Sequence, residues 1–275
     1  MIRECDSLSG AQRAILSRYQ AVRCTDIHCH CLPGLDDGPR TMAEAVALCQ
    51  ALVDDGITTV IATPHQLGRF DGHVTAADIR QAARNLNEEL AVHGVPLQVH
   101  PGADVRVDER LLRLLEAREV LSLADRGRHV LLELPDATFL DLRPLLRDLA
   151  LHGYTSIISH PERNAFLIDR QDAVLPWLEQ GALLQLTAGS LIGDFGPLPR
   201  RAAWHWLCTG AASLVATDAH DTMSRRPCMA RALAEIAIVL GHAAARRVCI
   251  ENPQRVLLGE RVPAIPRMGR QRVLS

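Results

Sequence analysis

The chain has 275 residues, 48% of them hydrophobic, which is enough for one large domain with a sizeable core. Its formal charge of −2 gives no overall attraction for nucleic acid or membranes. All thirty basic residues are arginine, so a Schiff-base lysine and the Gly-Lys-Ser/Thr phosphate loop are both excluded.

Residues 1–23 precede the first patterned segment and read as an N-terminal extension; they are charged and lack a signal-peptide core. The first strand candidate is CTDIH (24–28). Thr41 and Glu44 then form a capping box for a helix with Met42, Val46, Cys49 and Val53 on one stripe, ended by Gly56. TTVIATPH (58–65) is the second strand. Thr75 and Asp78 open a helix that aligns Ile79, Ala83, Leu86 and Leu90, with Gly94 beyond it. LQVHPGAD (97–104) and HVLLEL (129–134) are the next strands. Leu142, Leu145 and Leu149 line a helix closed by Gly153. TSIISH (155–160), LLQLTAG (183–189) and SLVATDAH (213–220) follow, and Met229, Leu233, Ile236 and Leu240 mark the last long helix.

Continuously apolar, β-branched strands suit a parallel sheet covered on both faces. Their alternation with helices predicts an α/β fold, a closed barrel in one domain over residues 24–258. No Gly-rich fingerprint follows the first strand, so a dinucleotide site is not expected. The segment 259–275 is a basic, Pro-containing tail. No apolar run approaches the roughly 18 residues of a membrane span, so the expected location is the cytoplasm. There the eight cysteines should be reduced. Cys49 and Cys208, inside apolar helical runs, read as small core residues.

Six of the seven strand candidates end in metal-ligand residue types. They supply His28 and His30 with Asp36 and Asp37 just after, then His65, Asp104, Glu133, His160, and Asp218 with His220. In a parallel barrel these ends meet on one face. A single strand-end histidine is more often a hydrogen-bonded structural residue; six ends in agreement point to a metal centre. Imidazole and carboxylate suit manganese, zinc or iron, and this many ligands predicts two or three divalent ions. Within DIHCH, strand alternation aims His28 and His30 at one face and Cys29 and Cys31 at the other, where they pack.

A competing segment is CIENPQR, in which Cys249 precedes Arg255 by the spacing of a thiol phosphatase loop. It has no glycine, Pro253 lacks an N–H, and it follows a helix rather than a strand. It therefore reads as non-catalytic.

The segments DIHCH, GLDDGPRT, IATPH, PGADVR, LLELP, ISHPERN, LQLTAGSL and ATDAH resemble the polymerase-and-histidinol-phosphatase (PHP) family. Within it they resemble the bacterial capsule-type tyrosine phosphatases known as CpsB/CapC, over about residues 24–258. The resemblance implies a distorted seven-stranded (β/α) barrel with three metal ions, usually manganese. His28, His30 and Asp218 would hold one ion with a bridging carboxylate, and Asp37, His65 and His220 a second. Glu133 and His160 would hold the third, again with the bridge. Arg163 and Arg226 would bind phosphate. On chemical grounds a protonated neighbour such as His160, or a metal-bound water, could assist the leaving group, and the sequence does not choose between them. Two departures stand out: the bridge, usually glutamate, would be Asp104, and Gln66 stands where the family often has a second histidine.

The function implied is metal-dependent hydrolysis of phosphotyrosine in proteins, the substrate being the tail of a bacterial tyrosine kinase in capsule or exopolysaccharide production. A histidinol-phosphate-like small-molecule phosphatase and a non-catalytic metal-stabilised binding module are the alternatives. Short loops after the strands predict an open mouth suited to a polypeptide, with Phe70 and Phe166 available to a tyrosine ring. Neither nucleic-acid binding nor membrane insertion is expected, and an oligomer is compatible with the sequence.

Overall fold

The computed structural model describes residues 10, 12, 15, 24–135 and 138–263. Its strands are β1 (Cys24–Cys29), β2 (Ile57–Ala62), β3 (His65–Gln66), β4 (Gln98–Pro101), β5 (Asp104–Arg106), β6 (His129–Glu133), β7 (Thr155–Ser159), β8 (Leu183–Thr187) and β9 (Ala212–Ala216). The helices are α1 (Met42–Asp54), α2 (Ala76–Val92), α3 (Leu111–Glu116), α4 (Arg143–Leu151), α5 (Ala165–Asp169), α6 (Leu175–Glu179), α7 (Ala188–Ile192), α8 (Pro197–Cys208), α9 (Met229–Leu240), α10 (His242–Arg246) and α11 (Asn252–Leu258).

Every strand pair is parallel. The order is β1-β2-β4 in one sheet and β3-β5-β6-β7-β8-β9 in the other. Two of the expected strands are thus each broken in two. Thr63 and Pro64 separate β2 from β3, and Gly102 and Ala103 separate β4 from β5. Proline cannot donate to a ladder and glycine weakens one, so the breaks fall where the sequence is least able to continue pairing. The chain still runs on across them: Thr63 N donates to Cys29 O at 2.8 Å and Asp104 N to Pro64 O at 3.2 Å.

The seam between β1 and β9 is narrow. It consists of a single parallel bridge, Cys29 to Ala219, flanked by Asp218 N to His28 O and His30 N to Ala219 O, both 2.8 Å. Asp26 reinforces it from below, accepting from Thr217 N at 3.0 Å and from Thr217 Oγ1. The result is a distorted seven-strand (β/α) barrel that is not the closed one expected: among the described residues no continuous ladder joins β1 to β9, and one bridge beside the two histidines of DIHCH stands in its place.

Inside the barrel, Ile27, Ile61, Leu131, Ile157 and Leu214 form one apolar layer, plugged by Leu123, Val256 and Leu257. The helices pack around the outside on Val60, Val130, Leu132, Ile158, Leu184 and Val215. Both predicted capping boxes are present, Thr41 with Glu44 and Thr75 with Asp78. The buried stripe of α2 is the expected one. That of α1 is rotated: Ala45, Leu48, Cys49 and Leu52 are buried, while Met42, Val46 and Val53 are only partly so. Cys208 is exposed rather than a core residue. Asp55, just past α1, accepts from Met229 N at 2.5 Å and Ala230 N at 3.1 Å. It thus caps α9 from another element. No described helix is long and apolar enough to cross a membrane. Most of the 1–23 extension and residues 264–275 of the tail lie outside the described residues.

Candidate metal centre

The strand alternation around DIHCH explains the first two ligands. From residue 28 onward, Cys29 and Cys31 point outward into the core beside Cys49. His28 and His30 point the other way, into the mouth, with Nε2 atoms 3.2 Å apart. The remaining strand ends arrive around them. His65 begins β3, Asp104 begins β5, Glu133 ends β6, and His160, Asp218 and His220 lie just past β7 and β9.

All nine sequence-predicted metal ligands meet here. They form four overlapping groups: His30, Asp37, His65 and His220; His28, His30 and Asp104; His28, His160 and Asp218; and His65, Asp104 and Glu133. Within each, the ligand atoms lie within 4.8 Å of one another. Imidazole and carboxylate approach closely, with His28 Nε2 3.3 Å from Asp218 Oδ1, His220 Nε2 3.3 Å from Asp37 Oδ1 and His28 Nε2 3.5 Å from Asp104 Oδ2. Two atoms bound at about 2.1 Å to a common ion are roughly 3.0–3.5 Å apart, so the spacing is that of shared coordination.

The donor atoms themselves make the stronger test. Both oxygens of Asp104, Asp218 Oδ1, His65 Nδ1 and His220 Nε2 are buried with no hydrogen-bond partner among the described residues. Orphaned buried polar atoms are costly; these five converge on one cluster, where a cation would satisfy them. Asp104 is fully buried between three histidines, its Oδ2 3.5 Å from His28, 3.7 Å from His65 and 3.7 Å from His160. The aspartate thus reaches the centre of the cluster despite being one methylene shorter than glutamate.

The protonation states suit ligands. Burial, then the neighbouring His220 and His65, hold the His30 pKa well below the usual range. Burial and Arg163 lower that of His160 to about 4. Burial raises the Asp104 and Asp218 carboxyls, but interactions with the neighbouring imidazoles, and for Asp218 with Arg163 and Arg225, outweigh it and hold both below the usual carboxylate range. His28 leads for Asp104, and Arg163 and His28 lead for Asp218. Neutral imidazole beside carboxylate is the state that binds metal. His160 shares a ligand group with His28 and Asp218.

Two residues outside the four ligand groups orient the ligands. Asp36 holds His30 Nδ1 at 2.5 Å and accepts from Gly38 N and His65 N. Gln185, on the strand with no strong ligand, lies 2.8 Å from His28 Nδ1. Such contacts fix the tautomer and ring plane of a metal-binding histidine. A Cβ on Gly38 would come within 2.3 Å of His30 O, so glycine in DDGP lets the loop close against β1. Gln66 takes no part in the centre. It is buried, accepts from Leu121 N at 2.9 Å and donates to Val74 O. His160 and Asp218 both adopt left-handed φ, 32° and 53°, a conformation that costs non-glycine residues energy and is often kept at functional sites.

The centre opens into a cavity of about 520 Å³, and four arginines line it. Arg163 and Arg225 both donate to Asp218 Oδ2, at 2.7 and 2.6 Å. Arg69 reaches Asp37 at 2.6 Å, and Arg106 reaches Glu133 at 3.3 Å. The second arginine expected from the sequence was Arg226. The structure puts Arg225 in the cavity instead, because the 220–225 turn, closed by His220 N to Arg225 O, carries it inward. Arg226 lies towards Asp55, whose carboxyl burial raises to about 7 and whose pKa the Arg226 charge helps pull down. Of the two expected aromatic residues, Phe70 lines the cavity, stacked on His65. Phe166 packs on Phe139 instead. Phe195 provides the other wall, with Arg163 over its ring at 4.9 Å.

Cys249 is fully buried, and burial holds its thiol well above the usual range. It lies in a π-helical turn, Arg247–Glu251, leading into α11. No anion-binding loop surrounds it.

A parallel barrel with clustered metal-ligand side chains at its strand ends and an arginine-lined mouth fits a class: metal-dependent hydrolases acting on anionic esters. Residues 24–258 match the family described as "Capsular polysaccharide synthesis, CpsB/CapC", and the chain belongs to that family. It is 37% identical over 201 residues to the tyrosine-protein phosphatase YwqE of Bacillus subtilis, covering 73% of this chain and 78% of the relative. It is 30% identical to the putative tyrosine-protein phosphatase CapC of Staphylococcus aureus, over 86% and 92% of the two chains. A crystal structure from work on YwqE and on CpsB of Streptococcus pneumoniae, described as unique metal-dependent tyrosine phosphatases, superposes with a TM-score of 0.85. It is 32% identical and covers 90% of this chain and all of the other.

Proposed function

We propose that this chain is a metal-dependent protein-tyrosine phosphatase that opposes a bacterial tyrosine kinase in capsule or exopolysaccharide production. The observation that carries the reading is the convergence of unpartnered ligand atoms beneath four arginines, in a chain whose relatives are named tyrosine-protein phosphatases.

His28, His30, Asp37, His65, Asp104, Glu133, His160, Asp218 and His220 would hold two or three divalent ions, manganese first among the candidates. Asp104 belongs to two ligand groups, which supports it as the bridge. When bound, the ions supply Lewis-acid stabilisation of the phosphoryl group and a water activated near neutral pH. The rest falls to the chain. Asp36 and Gln185 keep His30 and His28 turned inward. Asp218 holds Arg163 and Arg225 side by side, leaving their other N–H groups for phosphoryl oxygens, where charge-assisted bonds are strongest. Phe70 and Phe195 offer flat apolar walls to a phenyl ring. The phenolate of tyrosine is a good leaving group, so the cavity needs no strong acid. Its openness suits a peptide segment, and a flexible kinase tail is such a segment.

The test compares kcat/KM for a phosphotyrosine peptide, a phosphoserine peptide and histidinol phosphate at equal metal. The phosphotyrosine peptide should lead. A clear preference for histidinol phosphate would assign the site to small-molecule hydrolysis.

A further inference from the structure

Two sequence motifs remain outside the ligand cluster, PERN after His160 and TAGSL at the end of β8. A single buried side chain joins them. Glu162 is fully buried, and its Oε1 accepts from Thr187 N at 2.8 Å. The Ser190 hydroxyl lies close enough to stabilise the carboxylate as well, while the buried Thr187 Oγ1 has no hydrogen-bond partner among the described residues.

The reason for a carboxylate at this point lies in the sheet. β7 pairs with β8 only as far as Ser159 and Gln185. The chain then turns away at His160, in the left-handed conformation, so Thr187, still paired with Ala216 of β9, has no strand neighbour on its β7 side. A buried backbone N–H must find an acceptor, and Glu162 supplies it from the short turn Pro161–Arg163. Two residues on, Asn164 donates to Pro135 O at 2.6 Å. The turn is therefore pinned on both sides of Arg163.

Arg163 lies between these anchors, 2.7 Å from Asp218 and over Phe195. Phe195 is itself set by TAGSL, since a Cβ on Gly189 would come within 2.8 Å of its ring. The two motifs thus form one bracket around a single guanidinium.

We propose that Glu162 is a positioning residue: it fastens the 160–164 turn to β8 and so sets where Arg163 meets the substrate phosphate. The kinetic part rests on the phosphatase reading above; the anchoring part does not.

The experiment is a double-mutant cycle read at saturating metal with a phosphotyrosine peptide, paired with amide exchange at Thr187. Glu162→Ala should lower kcat/KM by roughly 10- to 100-fold, as misplacement of about an ångström does. Arg163→Ala should cost about the same. The double variant should be within about 3-fold of Arg163→Ala alone, because a residue acting through another loses its effect once that other is gone. Glu162→Gln, which keeps an acceptor oxygen, should recover to within roughly 5-fold of wild type. Glu162→Asp keeps the charge and loses the reach; should Glu162→Ala fail to fold, it takes its place in the cycle. Thr187 should exchange faster in the Ala or Asp variant while amides of β6 and β9 do not. Additive losses in the cycle, or unchanged exchange at Thr187, would overturn the proposal. Absence of phosphatase activity in the wild type would refute the functional reading and leave the anchoring to be judged by exchange alone.

Discussion

Two regions of this molecule resemble phosphatase machinery in sequence, and they differ in what surrounds their reactive atoms. At the strand ends, Asp104, Asp218, His65 and His220 present buried atoms with no partner, beside an open cavity lined with guanidinium groups. At Cys249–Arg255, the thiol is sealed in apolar packing, pushed towards its neutral form, and set in a helical turn. Residue types and spacing drew attention to both. What separates them is whether the fold leaves the chemistry unsatisfied and accessible, which is a property of backbone context.

The largest expected effect tests the unsatisfied side of that contrast. Asp104→Asn should reduce bound metal and lower kcat/KM by roughly 100-fold or more, since a neutral amide is a poor bridging ligand. Asp104→Glu should be tolerated. Metal analysis beside kinetics checks both, and full metal loading in the Asn variant would place the bridge elsewhere.

The next effect separates substrate groups from ligands. Arg163→Ala and Arg225→Ala should each lower kcat/KM by about 10- to 100-fold with metal stoichiometry unchanged. Arg226→Ala should stay within about 2-fold, as expected of a residue outside the cavity. Equal losses for Arg225 and Arg226 would contradict the assignment.

The orienting residues come third. Asp36→Asn and Gln185→Ala should weaken metal affinity by roughly 10-fold, the usual cost of losing a group that orients a ligand. A competition titration with a chelating dye measures it, and unchanged affinity would make these contacts structural only.

The smallest catalytic effect belongs to the other region. Cys249→Ser should leave kcat/KM within about 2-fold of wild type while lowering stability by about 1–3 kcal/mol, because it buries a hydroxyl in an apolar site. Thermal unfolding beside the phosphate-ester assay distinguishes the two consequences.

The contrast also shows how far residues alone could lead. The strand-end ligands were legible because parallel strands fix where their ends meet, and two-residue alternation fixes that His28 and His30 share a face. Asp36 was legible as a ligand-type residue but not as an orienting one, and Gln185 was not legible at all, because orienting a ligand takes only a polar atom at the right distance. Arg225 and Arg226 are neighbours with long side chains, and a turn decides which one faces in. Phe195 depends on the room left by Gly189, a packing fact with no sequence period. The breaks in β2/β3 and β4/β5 coincide with Pro64 and Gly102, a signal present in the sequence but outweighed there by the apolar runs on either side. Cys208 shows that an apolar helical run does not specify which side faces water.

The most direct measurement of the central claim is phosphotyrosine-peptide hydrolysis by wild type and Cys249→Ser, each before chelation, after it, and after manganese is restored, with bound metal quantified at every stage. Activity should vanish with the metal and return with it in both proteins. Hydrolysis that survives complete metal removal and disappears in Cys249→Ser would place the chemistry at the thiol and contradict the account.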